Sequence, residues 1–207
     1  MDKDAFFWQL ADGRLRGRFA MKWLVYAVAL LVMTVGSSTA WGAPRKFEEI
    51  SMERWGCYGT CPIYKITATA DGTVTYEGEQ WVKAVGKHTK HLSRARVKRI
   101  AKAITDLEFF SLRDQYESRK DGCQAVATDS AGATIVVKAG GETKSVRHYH
   151  GCLERPGPKH PGDWGHVFPR RLTKFEDEID RLIGTREWVG SRAWREREWK
   201  KRMNRTR

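Results

Sequence analysis

The sequence predicts an α+β domain: an antiparallel sheet built from hairpins, with two core helices on one face, in the order strands, helix, strands, helix. Three observations carry this. Asp71-Gly72 and Gly140-Gly141 are tight-turn dipeptides, each flanked by β-branched segments. Two other segments repeat apolar residues at helical spacing. The strands come as neighbouring pairs and do not alternate with helices, which argues against a parallel sheet.

Taken in order, Phe47 to Trp55 alternates imperfectly and reads as a strand. After Cys57-Tyr58-Gly59-Thr60-Cys61-Pro62, Ile63 to Ala70 is the first arm of a hairpin, Asp71-Gly72 its turn, and Thr73 to Tyr76 its partner. Trp81 to Val85 extends the meander. Ser93 then caps a helix in which Val97, Ile100, Ala101, Ile104 and Leu107 form one apolar stripe, with Leu92 placed to pack on Val97. Ala133 to Ala139 and Glu142 to His150 make the second hairpin. The last core helix opens at Pro169, carries Leu172, Phe175, Ile179, Leu182 and Ile183, and ends at Gly184. No solenoid period is visible.

Composition narrows the function classes. The chain has 207 residues, 41% of them hydrophobic, which suffices for one packed domain and excludes wholesale disorder. No uninterrupted apolar run is long enough for a multi-pass membrane protein. A net charge of +13 biases the surface toward anionic partners.

The N-terminal region reads as an address. Met21-Lys22, the apolar run Trp23 to Val35 and the small residues Gly36 to Ala40 have the layout of a secretory signal peptide, with cleavage expected after Ala40 or after Gly42. Residues 1–20 form an extension in front of it, and Met21 is the expected start of translation. The alternative is an uncleaved inner-membrane signal anchor at 23–43, for which Arg14, Arg16, Arg18 and Lys22 have the positive-inside bias. The expected organisation is thus 1–20 extension, 21–40 signal, 46–189 a single domain, and 190–207 a basic, Trp-containing tail.

Gly56-Cys57-Tyr58-Gly59-Thr60-Cys61-Pro62-Ile63-Tyr64 followed by Asp71-Gly72-Thr73-Val74-Thr75-Tyr76-Glu77-Gly78 resembles a family of exported bacterial domains of unknown function. Phe109-Phe110-Ser111-Leu112, Tyr116, His148-Tyr149-His150-Gly151-Cys152 and Leu172 through Trp188 fit the same pattern. The resemblance covers roughly Phe47 to Val189 and implies no catalytic residue, cofactor or ligand.

Export implies oxidised thiols. Of the three possible pairings, Cys57–Cys61 with Cys123–Cys152 is preferred, because a Gly-bearing turn already holds the first two close. A second use of Cys57 and Cys61 is soft-metal or redox chemistry, since copper-delivery proteins of the thioredoxin fold carry C-x3-C-P. Those motifs turn from strand into helix, whereas Ile63 to Ala70 reads as strand. His148 and His150 share one strand face and are the other candidate metal ligands. No nucleophile elbow, H-E-x-x-H or phosphate-cradling loop occurs, so no catalytic residue is assigned and no cofactor is called for.

Positive charge is concentrated in two places. From Trp81 to Thr105 there are eight Lys and Arg and no acid. The tail places Arg192, Arg195, Arg197, Lys200, Lys201 and Arg202 around Trp194 and Trp199. This mixture suits an anionic envelope surface or lipid headgroups. Export and the lack of a recognised motif disfavour nucleic acid. The reading is an exported, disulfide-stabilised, non-catalytic binding or structural module of the cell envelope. A copper- or redox-handling protein is the alternative.

Overall fold

The computed structural model describes residues 45–154 and 165–205. The N-terminal extension, the signal segment and its anchor alternative lie outside the described residues. Among those that are described, no helix is long and apolar enough to cross a membrane.

The elements run β1 (Phe47–Trp55), β2 (Ile63–Thr69), β3 (Thr73–Gln80), β4 (Gly86–His91), α1 (Arg94–Asp106), β5 (Gln115–Tyr116), β6 (Ala125–Val126), β7 (Gly132–Ala139), β8 (Glu142–Tyr149), β9 (Cys152–Leu153), α2 (Arg170–Ile183), α3 (Arg186–Val189) and α4 (Arg192–Arg205). Seven strands form one sheet in the order β4-β3-β2-β1-β7-β8-β5, and β6 pairs with β9 apart from it. All pairings in the large sheet are antiparallel except that of β5 with β8. The class is α+β, in the expected order.

Alternation decides which face of the sheet is buried. Ile50 and Met52, Tyr64 and Ile66, Val74 and Tyr76, Ile135 and Val137, and Val146 point to the core, while Glu53, Lys65 and Glu77 point away. Ile100 and Ile104 of α1 and Leu172, Phe175, Ile179, Leu182 and Ile183 of α2 join the same core. Each such side chain contributes on the order of 1.5–3 kcal/mol by leaving water. The Ser93 hydroxyl accepts the Arg96 N–H at the start of α1. Gly184 ends α2 in the left-handed conformation, φ 77°, where its N–H bonds the Asp180 carbonyl at 2.8 Å.

The third strand of the meander lies later than expected. Trp81 to Val85 is a turn, with Trp81 itself at φ 55°, and β4 begins only at Gly86. The turn carbonyl of Ala84 accepts from the Tyr76 hydroxyl at 3.1 Å, and the Ala84 N–H bonds Trp188. Trp188 stacks on Tyr76, ring centroids 4.8 Å apart, so the chain past Gly184 packs back onto the sheet.

Cys57 is bonded to Cys61, and Cys123 to Cys152. The first bond closes the loop between β1 and β2. The second lies within the core and ties β9 to the loop before β6.

Candidate functional site

A row of side chains crosses four strands on the buried face. Tyr64 of β2 stands opposite Arg54 of β1, Arg54 opposite Ala133 of β7, and Ala133 opposite His148 of β8. Ala133 is small, and the space above it lies between a guanidinium and an imidazole. Helix α2 fills that space with Glu176, and places Asp180 one turn later on the same face. His150, just past the end of β8, brings its ring to the same carboxylate.

The resulting network is closely spaced. Glu176 is fully buried, as is His148. Glu176 Oε1 lies 2.5 Å from His148 Nδ1; Oε2 lies 2.9 Å from His150 Nε2 and accepts from Arg54 Nη1, also at 2.9 Å. His148 Nε2 donates to the Phe168 carbonyl at 3.1 Å. Arg54 donates to Asp180 Oδ2 through Nη2 at 2.8 Å and Nε at 3.1 Å, and the Tyr64 hydroxyl donates to Asp180 Oδ1 at 2.8 Å. Thr185 Oγ1 donates to Asp180 Oδ1 as well, at 2.9 Å.

Burial and charge act against each other here. Burial alone raises the Glu176 carboxyl, but the hydrogen bonds from both histidines and the Arg54 charge outweigh it and hold the group at about 2. Burial alone lowers Arg54, and Asp180 with Glu176 more than reverses this, keeping it cationic. Burial and Asp180 push the Tyr64 phenol up, so it stays neutral. Asp177, exposed and 3.9 Å from Arg54, is pushed up by desolvation and by its acidic neighbours.

This network forms one wall of a cleft of about 310 Å³. Arg54, Tyr64, His150, Asp177 and Asp180 line it from the domain, and Arg186 and Arg195 from α3 and α4. Cys61 and Pro62 border it too, so the disulfide loop meets the ionic network here. A second, wider cavity of about 470 Å³ separates Tyr58, Gly59 and Thr60 of that loop from Glu196, Trp199 and Lys200 of α4.

The residues singled out from sequence are placed as follows. Cys57 and Cys61 form a disulfide, and after Pro62 the chain enters strand β2 directly. His148 and His150 converge on Glu176, and the ligand atoms of these three lie within 4.8 Å of one another; neither cysteine belongs to that group. Arg192, Arg197, Lys200, Lys201 and Arg202 are exposed on α4, while Trp194 and Arg195 are half-buried. Trp199 packs on Trp81 with ring centroids 5.6 Å apart, and Arg202 lies over the Trp81 ring at 4.4 Å. The tail is therefore a helix seated on the Trp81 turn. Glu196 holds Arg192, and Glu198 holds Lys201, each at 2.8 Å.

Sequence reasoning missed Arg54, Tyr64, Glu176 and Asp180. Glu176 carried a signal, because it falls inside the apolar stripe between Leu172 and Ile183 where a charge needs a partner.

The profile of a family described as Domain of unknown function (DUF6438) matches residues 48–183. The chain belongs to this family. The matched DUF6438 region runs from β1 through α2 and contains both disulfides and all of Arg54, Tyr64, His148, His150, Glu176 and Asp180. Helices α3 and α4 follow it. No curated protein matches the chain.

Proposed function

We propose that this DUF6438 protein is an exported, disulfide-stapled binding module of the cell envelope, held against an anionic surface by its basic side and taking no catalytic part there. One observation carries the reading: the acid-free run from Trp81 to Thr105 folds into the edge strand β4 and helix α1, with Lys87, Arg94, Arg96, Lys98, Arg99 and Lys102 exposed along them. Of these, Lys102 is engaged by Asp106. Helix α4 adds Arg197 and Lys200, with Trp199 42% exposed among them. Each basic residue near an anionic surface contributes about 1 kcal/mol, and a ring beside it seats at headgroup level. The leader pattern and the two disulfides support export.

The test is co-sedimentation with vesicles of anionic or neutral phospholipid. Three proteins are compared: the chain from Trp41, the same chain ending at Val189, and the full chain with Arg94→Glu, Lys98→Glu and Arg99→Glu. The full chain is expected to sediment with anionic vesicles at low salt and to be released near 0.15 M salt, where charges are screened beyond about 8 Å. Both altered proteins are expected to bind more weakly. Equal sedimentation of all three sinks the proposal.

A further inference from the structure

Outside the basic surface, the feature that calls for an explanation is the face between His148 and Glu176. His148 Nε2 meets a carbonyl oxygen, Phe168 O at 3.1 Å, which can only accept. That nitrogen therefore carries the hydrogen. In a neutral imidazole the other nitrogen, Nδ1, is then a lone pair, and it faces a carboxylate oxygen of Glu176 at 2.5 Å. Two lone pairs do not approach so closely in a fully buried site, so either a proton or a metal ion lies between them. His150 Nε2 approaches the other carboxylate oxygen at 2.9 Å.

Three further observations bear on which cation this is. The first is charge. Arg54 contributes one positive charge, and the three carboxylates around it, Glu176, Asp177 and Asp180, contribute three negative ones. With neutral histidines these four groups stand at −2, and Arg186 and Arg195 across the cleft offset that charge at a distance, so a dication beside Glu176 meets a locally negative ligand set. The second is outer-shell order. A metal-bound histidine characteristically donates its other N–H to a carbonyl or carboxylate, which fixes the ring and tautomer; Phe168 O already does this for His148. The third is access. Glu176 and His148 are sealed, but His150 is 21% exposed and lines the cleft of about 310 Å³, so an ion can enter from that side.

We propose that His148 Nδ1, His150 Nε2 and the Glu176 carboxylate form a site for one divalent transition-metal ion, Zn²⁺ being the ion that two imidazoles and a carboxylate suit. Zn–N and Zn–O bonds are about 2.0–2.2 Å, so ligand atoms around a tetrahedral ion lie roughly 3.3 Å apart. The three atoms lie within 4.8 Å of one another; to admit the ion the His148–Glu176 contact has to widen by about 0.8 Å and the widest pair to close by up to about 1.5 Å, which a rotation of the partly exposed His150 ring can supply. Three protein ligands leave a fourth position, which water entering from the cleft can fill. Arg54 stays bound to Glu176 and Asp180 as an outer-shell group. In the metal-free protein a shared proton takes the place of the ion. This site is independent of the surface reading above, and neither depends on the other.

The test is titration calorimetry of the full chain from Trp41, stripped with a chelator, with Zn²⁺ as the probe. Uptake of one equivalent is expected, with a rise in melting temperature. His150→Ala removes a ligand that is partly exposed, so the fold should survive, which far-UV circular dichroism checks. It should weaken Zn²⁺ binding by at least about a hundredfold, since even outer-shell losses cost about 10–100-fold. His88→Ala/His91→Ala, which removes the histidines of strand β4, should bind as the parent does. Co²⁺ in place of Zn²⁺ should give visible bands that His150→Ala loses. The proposal is overturned if the parent takes up no Zn²⁺, or if His150→Ala binds like the parent. It is equally overturned if His88→Ala/His91→Ala abolishes uptake.

Discussion

Arg54 on β1 and Asp180 on α2 stand 126 positions apart in the sequence and meet through two hydrogen bonds, at 2.8 and 3.1 Å. This pair, with Glu176 beside it, is the charged bond between the centre of the sheet and the helix that covers it. Its removal leaves two carboxylates without their cation in a site where the guanidinium was 13% exposed.

Arg54→Met should therefore destabilise by about 3–5 kcal/mol, the usual result of breaking a buried pair from one side. Arg45→Met breaks the exposed pair with Glu142 and should cost at most about 1 kcal/mol. Urea melts of the two variants provide the comparison; equal losses would mean that the Arg54 network is no stronger than a surface pair.

Acid should weaken the fold over a defined window. The Glu176 carboxyl lies at about 2 in the folded protein against 4.5 ordinarily, so the unfolded chain binds its proton first. Its stabilisation is fully present above about pH 5 and is lost as pH falls toward 2. Arg54 of β1, His148 of β8, His150 just past its end, and Asp177 and Asp180 of α2 are the ionisable groups facing it. Urea melts at pH 6 and pH 3 should differ by a few kcal/mol, and the difference should shrink in Glu176→Gln. An unchanged pH dependence in that variant would assign the acid sensitivity elsewhere.

The two disulfides should not be equivalent. Cys123–Cys152 spans 29 positions and Cys57–Cys61 only 4. Chain-entropy arguments give roughly 3.6 and 2 kcal/mol. Cys123→Ser should thus destabilise more than Cys57→Ser by about 1–2 kcal/mol, and the buried hydroxyl it introduces adds to the difference. The reverse order in denaturant melts would show that the β1–β2 loop contributes more than its length implies.

Helix α4 is expected to depend on one aromatic contact. Trp199→Ala removes the ring on Trp81, worth about 1 kcal/mol, while the core is untouched. Amide exchange along Arg192–Arg205 should quicken roughly fivefold, with the global melt shifting by less than about 0.5 kcal/mol. A large global loss would make α4 part of the cooperative core.

How much of this was legible depends on what each element buries. The two hairpins were readable because Asp71-Gly72 and Gly140-Gly141 announce their turns. Both core helices were readable because their stripes are apolar. Strand β4 was not, since Gly86–His91 is wholly polar and an edge strand needs no alternation to hold its place. β5, β6 and β9 are two residues each, too short for any period. The site was half legible: the spacing of His148 and His150 puts them on one face, but only three-dimensional packing brings Glu176 and Arg54 to them.

The two margins of the large sheet are finished differently, and this bears on how the protein behaves when crowded. Strand β4 is the edge of the sheet, and its exposed Lys87 meets an approaching strand of a second copy with like charge, while Lys90 turns onto Glu187 and Trp188. At the other margin β5 covers β8 only at Arg147 and His148, where Arg147 also pairs with Glu117, and Lys144 beyond them reaches out to Asp114. One border is guarded by repulsion and the other by a short strip and its ion pairs. Concentrated solutions should accordingly resist growth of sheet-to-sheet fibrils, and a charge-neutral replacement at Lys87 should be the change that first permits it.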